Sequence, residues 1–125
     1  MNATDLLAQF HGRRYLNLES YRRDGRAIRT PLWFAQDGGL LYIYTLADSG
    51  KVKRMRRNPR VRIVPSDIRG NPKGEWIDAE AELLAGERAA HADHLLSRKY
   101  FGKRVGDLFR KLRPKPRAVL AIRPL

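Results

Sequence analysis

The 125-residue sequence predicts a mainly β protein with accompanying helices (α+β), built as a closed or nearly closed antiparallel barrel of six strands. Three observations carry that prediction. Apolar and polar residues alternate over residues 15–21, 27–36, 40–45 and 75–84, the period of half-buried strands. Asp24-Gly25 and Asp37-Gly38-Gly39 separate the first of these runs, so consecutive strands should return antiparallel. Helical periodicity is confined to a few stretches, and without repeats or a linker the chain reads as one domain over residues 1–125.

Taken in order, Thr4 is placed to cap a short helix over residues 5–10, where Leu6, Leu7 and Phe10 fall at helical spacing. The first strand, 15–21, sets Leu16 and Leu18 against Asn17 and Glu19. Asp24-Gly25 reads as a type I′ turn into strand 27–36, with Ile28, Thr30, Leu32 and Phe34 on one face and Arg29, Pro31 and Trp33 on the other. Pro31 has no ladder donor and predicts an edge or a bulge. Strand 40–45 opposes Leu41, Ile43 and Thr45 to Tyr42 and Tyr44. Ser49 then caps a basic helix over 50–58 with Val52 and Met55 inward, and Asn58-Pro59 ends it.

Residues 60–65 form a short strand, and 67–74, with two glycines and a proline, a loop free to move. Strand 75–84 points Ile77, Ala79, Ala81 and Leu83 inward and Trp76, Asp78, Glu80 and Glu82 outward. Helix 87–100 carries the stripe Ala89, Ala92, Leu96, Tyr100. A second helical piece over 105–112 ends at Pro114, and 118–122 is a closing strand.

The chain has no cysteine, which excludes disulfides and thiolate metal sites. Its apolar runs are too short to span a membrane and its start lacks the order of a signal peptide, so a soluble, cytoplasmic protein is expected. The net charge of +13 demands an anionic partner without saying which. His91 and His94 have a spacing that two metal ligands use, but no third ligand joins them, and no metal site is predicted. No nucleophile elbow, phosphate loop or dinucleotide fingerprint occurs.

The candidate site lies in residues 29–59. An apolar edge strand, a hydroxyl at the end of the next strand and a helix N-terminus rich in Lys51, Lys53, Arg54, Arg56 and Arg57 offer room for a flat ring beside a phosphate. The phosphate would meet backbone amides at Ser49 and Gly50, the Ser49 hydroxyl and Lys51. Such a basic helix is also an ordinary solvated face, and Asp48 opposes an anion there. A basic barrel with strand aromatics is a second possibility, a module that stacks single-stranded nucleic acid, though no aromatic-rich RNA signature supports it.

The segments Arg29-Thr30-Pro31-Leu32-Trp33-Phe34, Leu41-Tyr42-Ile43-Tyr44-Thr45, Ser49-Gly50-Lys51-Val52-Lys53-Arg54 and Asn58-Pro59, in that order, resemble the pyridoxamine 5′-phosphate oxidase-like split β-barrels. Their deazaflavin-dependent branch (coenzyme F-420, an 8-hydroxy-5-deazaflavin) is the nearer likeness. The resemblance implies a homodimer with a deazaflavin, or alternatively FMN, in a groove between subunits, and hydride transfer to a small organic acceptor. It implies that Arg29, Thr30, Pro31 and Leu32 line the ring, largely through backbone, and that Thr45, Ser49, Gly50, Lys51 and Lys53 hold the phosphate. Arg54, with Lys53, Arg56 and Arg57, would follow the polyglutamate tail. Phe34 stands where flavin oxidases of the family usually carry lysine, and Ala79 and Glu80 replace a glycine-containing turn; the first departure weighs against the oxidase reaction. A tetrapyrrole binder is a further alternative on this barrel. No general acid is evident, with Tyr42, Tyr44 or water as candidates. The acceptor pocket is expected from loop 67–74 and the partner subunit.

Overall fold

The computed structural model describes residues 2–100 and 117–125. Seven strands form a single antiparallel sheet: β1 (Tyr15–Tyr21), β2 (Ala27–Trp33), β3 (Ala35–Asp37), β4 (Leu40–Leu46), β5 (Arg60–Ser66), β6 (Ile77–Leu83) and β7 (Arg117–Pro124). Their order is β2-β1-β5-β6-β7-β4-β3. The predicted six strands become seven because residues 27–36 are not continuous: the ladder breaks at Phe34 and the chain continues on the other edge of the sheet. The predicted helical piece at 105–112 lies outside the described residues.

That break leaves the barrel split, with its two edges joined through the chain and not by a ladder. Strands β2 and β3 are consecutive in the chain yet occupy opposite edges, so one residue joins the two margins of the sheet. Phe34 is fully buried, with its ring edge-on to Phe10 at 5.8 Å. At this seam Phe34 lacks a ladder partner, and the Tyr100 hydroxyl serves instead. It accepts from the Phe34 amide at 2.9 Å, and its proton is shared between the carbonyls of Phe34 and Arg14. Trp33 stacks on the same tyrosine, 5.0 Å between ring centres.

The barrel interior is an apolar cluster of alternate strand residues, among them Leu16, Leu18, Leu41, Ile43, Ile63, Ala79 and Leu120. Helix α2 (Gly50–Arg57) plugs one end of it with Val52 and Met55. Helix α3 (Gly86–Tyr100) covers the outer side of β3, β4 and β7, where Ala92 and Leu96 pack with Tyr42 and Ala121. The expected helix over 5–10 is instead α1 (Ala3–Leu6), capped by Asn2 rather than Thr4, followed by a 3-10 turn at Ala8–Phe10. On β6, Ala79 and Ala81 face inward as predicted, whereas Leu83 is 41% exposed at the end of the strand and Leu84 is buried instead.

The first turn differs from the prediction, and its register follows. Gly25 has φ 88° while Asp24 keeps a negative φ, which excludes type I′. Gly25 donates to the Arg22 carbonyl and Arg22 to that of Arg26, giving a type I turn with a glycine bulge and a three-residue loop. Glu19 therefore pairs with Arg29 rather than Thr30. The second turn has a two-residue loop, Gly38-Gly39, with only Gly38 (φ 62°) left-handed. Pro31 lies on the edge strand β2, as its missing donor requires.

Candidate functional site

The rim of the barrel around α2 gathers most of the predicted anion-binding residues. Ser49 has extended backbone (φ −68°, ψ 155°), and its hydroxyl accepts from the Val52 amide, so the helix begins at Gly50 as expected. Strand alternation brings Thr45, on the interior side with Leu41 and Ile43, to the same rim, where its hydroxyl accepts from Lys51 Nζ at 3.1 Å. Arg54 turns back along the helix. Its Nε donates to the Ser20 hydroxyl at 2.8 Å, and its Nη1 lies 3.0 Å from where a Gly50 Cβ would stand. The absent side chain at Gly50 thus admits a guanidinium next to the first helical amides.

These two cations have hydroxyl partners and, among the described residues, no carboxylate. Burial, and secondarily Arg54, lowers the pKa of Lys51; burial, then Arg22 and Arg57, lowers that of Arg54. The described residues hold crowded, partly desolvated positive charge here and supply no counter-ion, an arrangement an anion would relieve. Arg57 donates to the Tyr21 carbonyl at 3.1 Å and extends the group along the hairpin. Lys53 and Arg56 are exposed. Asp48 is also exposed and forms no ion pair among the described residues.

The predicted ring-lining strand is divided between two faces. Thr30 and Leu32 point toward the interior side shared with Ser20 and Leu18, and Leu32 packs on the core. Arg29 and Pro31 lie on the outer face with Glu19 and Asn17. In one chain, therefore, only the backbone margin of β2 is common to all four residues. Phe34 is sealed in the core, so position 34 sends no side chain to a ligand. Tyr42 and Tyr44 pack in the α3 layer, on the side of β4 opposite Thr45, and neither reaches the rim.

The outer face holds a cluster that joins the predicted Arg29 to residues outside the predicted site. Glu19, with its side chain only 3% exposed, accepts from Arg29 Nε at 2.8 Å, from Arg62 Nε at 2.8 Å and Nη2 at 3.2 Å, and from the Tyr21 hydroxyl at 2.8 Å. Hydrogen bonds from Arg62 first, with those of Arg29 and Tyr21, hold its pKa at about 2 despite burial. Both guanidiniums stand over the Trp76 ring, at 4.6 and 5.1 Å. Loop 67–74, expected to move, is tied down instead: Asp67 accepts from the amides of Arg69 and Asn71, and the Gly70 carbonyl accepts from Asn17. Gln9 exchanges two hydrogen bonds with Glu75, which delivers Trp76 to the arginines. The sequence signal was a buried-face glutamate opposite two strand arginines, obscured by the assumed turn.

His91 is 2.8 Å from Asp37 and joins α3 to the β3–β4 turn. Among the described residues no three His, Cys, Asp or Glu side chains gather as a metal site. Nor does any described helix have the length and apolarity to cross a membrane.

The pyridoxamine 5′-phosphate oxidase family matches residues 4–125, nearly the whole chain. The chain belongs to that family. Among solved structures it is similar to the haem storage protein HutZ of Vibrio cholerae (TM-score 0.73, 16% identity, covering 100% of this chain and 92% of that one). An FAD-binding protein of Mesorhizobium loti gives TM-score 0.66 at 22% identity over 99% and 88% of the two chains. An F-420 reductase gives 0.63 at 21% over 95% and 92%. No curated protein matches. At these identities the structures establish the split-barrel fold of the family, and their different ligands show that the fold leaves the cofactor open.

Proposed function

We propose that this protein is a homodimeric oxidoreductase that binds reduced deazaflavin coenzyme F-420, with FMN as the alternative, and passes hydride to a small organic acceptor. The observation that carries the reading is the Lys51 and Arg54 pair, desolvated at the helix start on the hydroxyls of Thr45 and Ser20 and lacking a carboxylate among the described residues. The donor set suits a phosphate: an ammonium, a guanidinium, a hydroxyl and helix N-terminal amides around one rim. Arg57 and Arg22 continue the positive charge, which favours a cofactor with a longer anionic tail over FMN.

When bound, such a cofactor supplies the hydride chemistry. The chain's part is to bind and orient: Lys51, Thr45 and the amides from Gly50 onward fix the phosphate, and the free margin of β2 offers backbone groups to the ring. In this reading dimerisation supplies the other wall of the groove, against the β2 margin at the edge of the sheet. The described aromatics speak against a nucleic-acid platform, because Trp33 is stacked on Tyr100, Tyr42 lies against His91, and Tyr44 lies under Arg117.

The test is the absorbance spectrum and mass of the species that copurifies from a host making both cofactors, with the assembly mass measured in parallel. A deazaflavin spectrum on a dimer is the expected result. A tightly loaded monomer, or a protein binding neither cofactor, overturns the reading.

A further inference from the structure

We propose that Arg29 and Arg62, held by Glu19 against Trp76, form a binding site for a small organic carboxylate on the outer face of the sheet. Three features point to a ligand rather than to a closed structural clamp. Charge is the first: among the described residues Glu19 is the one carboxylate within ion-pair distance of the two guanidiniums, while Asp78 stands opposite Arg62 on β6 without pairing to it. The second is the donor count. Arg62 spends Nε and Nη2 on Glu19, but Arg29 spends only Nε, and its two terminal nitrogens have no partner among the described residues while its side chain is 53% exposed. Preorganisation is the third. A buried carboxylate fixes the Arg29 stem and Trp76 fixes the plane, so the free edge is a rigid two-donor fork of the geometry a carboxylate accepts.

This face is not the anion rim at α2. Glu19 and Ser20 are neighbours in β1, so their side chains leave opposite faces of the sheet, and Ser20 belongs to Arg54. Because Arg29 stands on the strand margin assigned above to the ring, the carboxylate is that of the acceptor. That identification rests on the proposed function, whereas carboxylate binding as such does not.

The cofactor-free full-length protein is titrated with benzoate, with a triglutamate peptide and with inorganic phosphate, following the arginine Nε–H NMR signals. Saturable shifts at Arg29 and Arg62 with benzoate are expected, with affinity falling roughly ten- to a hundredfold in Arg29→Gln. Arg29→Gln keeps the Arg62–Glu19 pair, and thermal unfolding verifies its fold. Arg29→Lys retains the charge but not the fork, and is expected to bind as weakly as Arg29→Gln. Lys51→Ala, the test of the cofactor rim, is expected to leave benzoate binding intact, which separates failure of one reading from failure of the other. No saturable shift, unchanged affinity in Arg29→Gln, or equal binding of phosphate overturns the carboxylate site. Tighter binding of triglutamate than of benzoate overturns the acceptor assignment in favour of the cofactor's tail.

Discussion

Two pairs of cations sit on opposite faces of the sheet, anchored on one side by Glu19 of β1 and on the other by Ser20 of β1 and Thr45 of β4, and the protein treats them differently. Arg29 and Arg62 are held by a buried carboxylate that the chain itself provides. Lys51 and Arg54 are held by two hydroxyls, with no described counter-ion. The first arrangement fixes geometry, since Glu19 dictates where each guanidinium points. The second stores unfavourable charge that a ligand can relieve, and so serves affinity more than orientation. Part of the net charge of +13 is thus oriented by a carboxylate of the chain itself, and part is held only by hydroxyls.

The contrast is broken most directly at Glu19. Replacing it with Gln leaves two part-exposed guanidiniums facing one another over Trp76, and a loss of roughly 1.5 to 3 kcal/mol is expected in denaturant unfolding, the size of charge-assisted hydrogen bonds. Acid makes the same test without mutation. The carboxyl has a pKa of about 2 folded, against 4.5 for the unperturbed group, so its stabilisation is complete above pH 4.5 and disappears as pH falls toward 2. The total is about 3 kcal/mol. If the unfolding free energy of Glu19→Gln has the same acid slope as the parent, Glu19 is not the group responsible.

Lys51→Ala is expected to act on the ligand rather than on the fold. Cofactor affinity should fall about ten- to a hundredfold, from a charge-assisted contact of roughly 1.5 to 3 kcal/mol, while the cofactor-free protein loses less than about 1 kcal/mol. Binding titration and thermal unfolding of one preparation give both numbers. An equal loss in the two would mean that Lys51 serves the fold rather than a ligand.

A smaller effect is expected from Arg56→Ala with Arg57→Ala. Exposed charges contribute about 0.2 to 1 kcal/mol each, so binding of a long-tailed deazaflavin should weaken a few-fold and that of a tail-less analogue hardly at all. Raising salt should shrink the difference, because the Debye length is about 8 Å at physiological ionic strength. Weaker oligonucleotide binding with no effect on either cofactor would instead favour nucleic acid. The mildest substitution is Pro31→Val, which restores an amide to the β2 margin; the fold should survive while ring binding weakens, and an unchanged cofactor affinity would assign Pro31 to the edge alone.

The rim was legible in the sequence and the outer cluster was not, for a physical reason. Ser49, Lys51 and Val52 lie within four positions, where capping and helical spacing determine contacts locally. Thr45 follows from strand alternation. Glu19, Arg29, Arg62 and Trp76 come from three strands and a loop, so their meeting depends on register. A type I′ turn at Asp24-Gly25 would have placed Glu19 opposite Thr30, and only the glycine bulge brings Arg29 to it. The strand alternation of the barrel was readable for the same local reason as the rim. Its seventh strand was not, because nothing around Phe34 breaks the apolar alternation; the break comes where the chain passes from one edge of the sheet to the other.

The Tyr100 hydroxyl on Phe34 has a kinetic consequence. Most amides near the barrel's interior are protected by neighbouring strands, but the Phe34 amide is protected by a side chain 66 positions away on α3. Its hydrogen exchange therefore requires only that α3 lift from the seam, a local opening of lower free energy than unfolding of the sheet. The Phe34 amide is thus a single-site clock for helix departure, readable while every ladder around it stays closed.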